Sequence, residues 1–145
     1  MNQDFYSYIF LALQERIKEQ LPEIAHIDLD FGQDDAPQII LPAILIDFPD
    51  TDFSEIGDGS LFANATISIR LLASPISQSY ADAPLEVRAD ALNYFTLEQH
   101  LIELLHGWSP NPDLCQPLII TRAQTTRATP QLRSRKLTLT TAFDL

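Results

Sequence analysis

The run Leu61–Ala73, LFANATISIRLLA, limits what this chain can fold into more than any other stretch. Ala63, Ala65, Ile67, Ile69 and Leu71 fall on one face of an extended chain, and Asn64, Thr66, Ser68 and Arg70 fall on the other. A period of two over this length predicts a long sheet strand with one face packed and one at least partly wet. After a short connection, the helical pattern from Leu85 to His106 offers an apolar stripe long enough to cover such a sheet. The remaining strands are expected to pair around the central one.

Upstream, Asp4 is placed to cap a helix whose apolar positions Phe5, Ile9, Leu13, Ile17 and Leu21 recur every four residues, widened by Tyr8 and Ala12. Pro22 ends it, because the residue before a proline is pushed out of helical geometry. Ala25, Ile27, Leu29 and Phe31 alternate with His26, Asp28 and Asp30, which predicts a half-buried strand stopped at Gly32 and a loop over Gln33–Gln38 containing Asp34, Asp35 and Pro37. The carboxylates of Asp28 and Asp30 read as solvated edge charges. A further strand is expected over Ala43–Phe48, with Pro42 at its first position. The stretch PDTDFSEIGDGS, from Pro49 to Ser60, reads as an acidic loop with a tight turn at Asp58-Gly59.

Downstream, Ser74–Ala83, with Pro75 and Tyr80, forms a connection. Asp82 is the expected cap, with Pro84 in the first turn of the second helix. Leu85, Ala89, Leu92, Phe95, Ile102 and Leu105 make one stripe, and Leu97, Leu101 and Leu104 a second. A stripe this wide predicts burial on more than one side, against the sheet and against the first helix or a neighbouring subunit. Gly107 suits the position just past the helix. Trp108, held by Ser109-Pro110-Asn111-Pro112, is expected to plug the core over the sheet edge, or else to anchor an interface. A strand over Leu118–Arg127 and another over Leu132–Leu145 close the chain, and Arg127, Arg133, Arg135 and Lys136 gather at the turn end of that hairpin. The expected fold is one α+β domain over residues 1–145, in the order α-β-β-β-α-β-β, with a mostly antiparallel sheet and two helices on one face.

Charge is unevenly spread. Residues 1–60 hold thirteen acids against Arg16 and Lys18, while from Arg122 onward five bases stand against Asp144. That layout does not suit wrapping nucleic acid with the whole surface. It suits two copies meeting head to tail. With one cysteine, the chain can form no internal disulfide. Phe5–Leu13 lacks a basic flank and is too short to span a bilayer, so a cytoplasmic protein is expected.

The candidate chemistry fails on spacing. Asp50, Asp52 and Ser54 alternate as in the first half of a calcium loop, but Glu55 stands where the turn glycine belongs and Leu61 where the bidentate glutamate belongs. His100 and His106 are six residues apart and fall on different sides of a helix. Cys115 sits in a proline-rich loop without a catalytic context, and the four glycines form no phosphate loop. No enzyme, cofactor or metal site is expected.

With that order of elements, the LPAILIDF strand, the long strand NATISIRLLA, the helix ending LLHGW and the basic strand RSRKLTLTTAF resemble the tail-terminator (tail-completion) proteins of long-tailed bacteriophages and related contractile particles. The resemblance covers nearly the whole chain, as a pattern of elements rather than a signature motif. It implies a structural protein of the virion or bacterial host cytoplasm. Such a protein forms a ring, commonly of six copies, on the end of the tail tube and faces the head connector. The expected partners are therefore other copies of the chain, a tail tube protein and a head-completion protein. The charge layout offers Asp50, Asp52, Phe53 and Glu55 on one side of the contact and Arg127, Arg133, Arg135 and Lys136 on the other. Two further readings stand beside it: an acidic binding or inhibitor module that mimics nucleic acid, and a small ligand-binding domain or enzyme with a pocket around His26 or Cys115.

Overall fold

Leu61–Ala73 forms strand β3, and every other strand is ordered around it. A computed structural model describes residues 4–35, 39–74 and 77–145; Pro37 of the expected Gln33–Gln38 loop and Pro75 of the expected connection lie outside the described residues. The elements run α1 (Phe5–Gln20), β1 (His26–Leu29), β2 (Ala43–Glu55), β3 (Leu61–Ala73), α2 (Leu85–Ala91), α3 (Asn93–Leu105), β4 (Ile119–Ala128) and β5 (Arg133–Asp144). The sheet order is β1-β2-β3-β5-β4, antiparallel at every junction except β1–β2, which is parallel. The α+β class and the order of elements therefore hold, with three helices in place of two.

The expected alternation of β3 is realised. Ala63, Ala65, Ile67, Ile69 and Leu71 are all buried. Ile67, Ile69 and Leu71 pack with Ile44 and Ile46 of β2 and with Leu137 and Leu139 of β5 beneath α1 and α3, while Ala63 and Ala65 pack with Cys115 and Phe143 against Phe5. From α1 come Ile9, Leu13 and Ile17, and from α3 Leu97, Leu101 and Leu105. Asp4 caps α1 as expected: its carboxylate accepts from the Ser7 amide at 2.9 Å and the Ser7 hydroxyl at 2.8 Å.

Four expectations change. The expected strand over Ala25–Phe31 is cut to His26–Leu29, and Leu29 and Phe31 lie exposed, because a parallel pairing with only Ala43–Ile46 of β2 gives the later residues nothing to pack against. The acidic loop after Phe48 is instead the outer half of β2. It continues to Glu55 in register with Asn64 and its neighbours, past a bulge between Asp47 and Asp50. Only Ile56–Ser60 turns, closed by the Ile56 amide on the Ser60 carbonyl at 3.0 Å, with Asp58 and both flanking glycines at positive φ. The single long helix is two, broken at Leu92 (φ −97°, ψ 3°). The break turns α3 so that Leu97, Leu101 and Leu105 reach the sheet, and it leaves Leu85, Leu92 and Phe95 of the other stripe exposed. Finally, Pro84 rather than Asp82 precedes the first turn of α2, with no side-chain cap.

Candidate functional site

The two halves of the sheet along β3 differ in charge chemistry. Around Arg70 the face turned away from the helices is locked by ions. The Arg70 guanidinium donates to both carboxylate oxygens of Asp30 (2.7 and 2.9 Å) and of Asp34 (2.6 and 2.8 Å), and to the Ser134 hydroxyl at 3.3 Å. These side chains are 13–17% exposed, so water screens them little. Hydrogen bonds from Arg70 hold the Asp30 and Asp34 carboxyls below the ordinary aspartate range, and the two carboxylates in turn raise Arg70. Asp30 is therefore no solvated edge charge: it fastens the segment after β1 across the sheet.

On the opposite face, one strand away, Arg135 of β5 forms a second fork with Glu98 of α3, at 2.8 and 2.9 Å. It also donates to the Thr125 hydroxyl at 3.0 Å and lies 5.4 Å over the Phe95 ring. Glu98 is raised to the sheet by the same α3 face that buries Leu97 and Leu101. Sequence reading does not find either fork, because the partners are 36 to 40 residues apart in one and 37 in the other.

This changes the standing of the expected basic group. Arg135 is committed to Glu98, and Arg127 pairs with Asp35 at 3.0 Å. Arg133 is half-buried, one of its terminal nitrogens without a hydrogen-bond partner among the described residues, and Lys136 is half-buried on the Arg70 face beside Asp30. Exposed positive charge on this hairpin is left at Arg122 of β4. The expected acidic group, by contrast, is gathered. Asp50, Asp52, Phe53 and Glu55 all lie exposed on the outer half of β2. Strand alternation sets Asp50 and Asp52 on the open face and Phe53 and Glu55 toward the helix side.

Cys115 is buried, bridged to Phe143, and its polar neighbours are the Ser109 hydroxyl (3.5 Å) and the Asn111 carbonyl (3.9 Å), neither of them a base able to take the thiol proton. His26 lies 3.8 Å from Asp28 beside an open hollow of about 340 Å³. His106 accepts from the Ile120 amide at 3.1 Å and so fastens the end of α3 to β4. Trp108 is half-buried at the margin of the core, not inside it, and carries the Arg16 guanidinium 4.7 Å above its ring. It lines a groove of about 480 Å³ with Tyr8, Leu11 and Pro110. Near the start of α1, Phe5, Tyr6, Phe53, Leu114 and Phe143 line an apolar groove of about 460 Å³.

Among the described residues no helix is long and apolar enough to cross a membrane. No family model matches the sequence, and no curated protein matches it. Among solved structures, the chain is similar to one in the virion of native gene transfer agent (GTA) particle, at 16% identity and a TM-score of 0.44, over 92% of this chain and 95% of that one.

Proposed function

We propose that this chain is a structural, non-enzymatic subunit of a phage-like particle that closes head to tail into a ring on the end of the tail tube. There it stops tube growth and presents a surface to the head connector. The observation that carries the reading is the uncovered stripe Leu85–Leu92–Phe95. In the sequence its spacing is that of a helix face, and on either side of the break at Leu92 the chain leaves these side chains 42–72% exposed. Arg135 lies over the Phe95 ring, yet an apolar stripe that the described residues leave this open is the kind of surface that meets another protein. The order of elements that resembles the tail terminators, and the separation of exposed acids on β2 from exposed base on β4, support the same reading.

Two measurements test it together. Light scattering on the purified chain should give a mass several times that of one copy. Tubes assembled with the chain present should be capped and short under the electron microscope, and unlimited without it. A chain that stays monomeric and leaves tube length unchanged overturns the proposal. The exposed acids of the outer β2 favour a second reading, an acidic module that binds a basic protein; monomeric mass combined with one-to-one capture of such a partner would favour it.

A further inference from the structure

We propose that neighbouring copies join edge to edge, the outer half of β2 in one copy against β4 of the next. The inference rests on the head-to-tail reading above and names the surfaces that would make the contact. Beyond Ile46, β2 has β3 on one side and, among the described residues, no strand on the other. At the far side of the sheet, β4 pairs with β5 alone among the described residues. Apart from the Ile120 amide, which donates to His106, each therefore presents, among the described residues, backbone donors and acceptors of the kind that proteins ordinarily cover, bend or charge.

The charges on the two edges are opposite. From Ala43 to Glu55 the strand carries Asp47, Asp50, Asp52 and Glu55 and no base. From Ile119 to Ala128 it carries no acid and two bases, Arg122, which is exposed, and Arg127, which is paired with Asp35. Two β2 edges would set acid against acid, and two β4 edges base against base. Only the unlike pairing sets acids across from bases, so the same charges that protect each edge from its own kind select the other.

Strand direction agrees. Three successive antiparallel pairings, β2–β3, β3–β5 and β5–β4, make β4 run opposite to β2. Copies repeated side by side in one orientation thus bring β4 of one antiparallel to β2 of the next at every junction. Such a contact joins two different patches, and it closes into a ring when the rotation per copy closes. The edges are not level. Thr51 lies opposite Ala65, whereas Ala123 lies opposite Leu137, which in turn lies opposite Ile69. That offset, about 14 Å at a strand rise near 3.4 Å per residue, requires tilt or stagger between copies, as closing any sheet on itself does. Bulges limit the straight parts to 50–55 on β2 and 122–125 on β4. The pairing is accordingly short, and Arg122 is placed within it to meet Asp50 or Asp52.

The test is a charge swap read by mass in solution and on tubes. Asp52→Lys and Arg122→Glu should each weaken self-association several-fold while the circular dichroism stays that of the wild type, and the combined variant should recover it. In parallel, Asp52→Cys with Arg122→Cys in one chain should give, on oxidation, a ladder of linked chains longer than two, whereas each single variant should not. A wild type that assembles but is indifferent to both charge changes, with no ladder from the cysteine pair, overturns the edge pairing and leaves the ring reading standing. A wild type that is monomeric both alone and on tubes overturns both.

Discussion

The two ends of β3 show how one strand can serve two purposes. From Ile67 to Ala73 it is enclosed: α1 and α3 cover one face, the segment held by Asp30 and Asp34 crosses the other, and a guanidinium–carboxylate fork sits on each. From Leu61 to Thr66 its buried side chains are alanines, with Asn64 exposed on the other face and the acids of β2 alongside. At the enclosed end Arg70 and Arg135 are paired with carboxylates of the chain, whereas the acids at the open end have no such partner among the described residues. Cohesion and recognition are thereby separated along one element, and substitutions at the two ends should differ in kind as well as in size.

The sharpest contrast is expected from the enclosed core. Leu101 is fully buried between α3 and the sheet, so Leu101→Ala should cost about 2–5 kcal/mol, seen as a lower denaturation midpoint with an unchanged slope. Next comes the ion node. Arg70→Met removes the one cation shared by two nearly buried carboxylates, and about 3 kcal/mol should be lost, the lower end of the range for breaking a buried pair. If Arg70→Met were neutral, the enclosed end would owe its order to apolar packing alone and the comparison would lose half its content.

Acid titration examines the same node with the sign worked out. Asp30 and Asp34 have folded pKa values depressed by hydrogen bonds from Arg70. Their contribution is complete above the unfolded aspartate value, near about 3.9, and is lost as pH falls through the lower folded values. The wild type should therefore lose stability below about pH 4. Arg70→Met, whose two carboxylates are better off protonated, should instead gain stability as pH is lowered from neutral toward that value. Parallel curves for the two proteins would refute this account. At the margin of the core, Trp108→Ala should cost about 2 kcal/mol, less than the 3–5 kcal/mol typical of a wholly buried large side chain, because the ring is half-buried and one side is covered by Arg16. A loss as large as that of Leu101→Ala would restore Trp108 to the role of core plug.

Much of the enclosed end was legible in the sequence. The alternation of β3, the capped stripe of α1 and the final strand are each carried by side chains whose period matches their burial. The outer half of β2 was not, since Pro49, three acids and a glycine-rich turn have the composition of a loop, and what keeps it extended is the backbone ladder to β3. The break at Leu92 also gave no signal, because it lacks glycine or proline and follows from the need to bring Leu97 and Leu101 onto the sheet. The ion forks were invisible for a third reason: each joins residues that only the finished topology makes neighbours. As for the expected contact residues, the acids of β2 were placed together, while the bases Arg127 and Arg135 have partners inside the chain that no local pattern discloses.

The smallest effect on stability belongs to the open end, and it is the most discriminating. Asp50 and Asp52 are exposed, accept no hydrogen bond from a described side chain, and sit beside other acids on a strand edge that no described strand pairs. Asp50→Asn with Asp52→Asn should therefore shift folding stability by no more than about 0.5 kcal/mol, with a gain the more natural direction because acid–acid repulsion along the edge is relieved. The same double substitution should change how the chain associates, weakening contact with a basic edge and removing the penalty for like edges meeting. Stability by denaturant and association by light scattering, measured on one preparation, separate the two consequences. A large loss of stability would mean that these carboxylates support the fold after all, and the division of β3 into a cohesive end and a recognising end would be wrong. Unchanged stability with altered association is what that division requires.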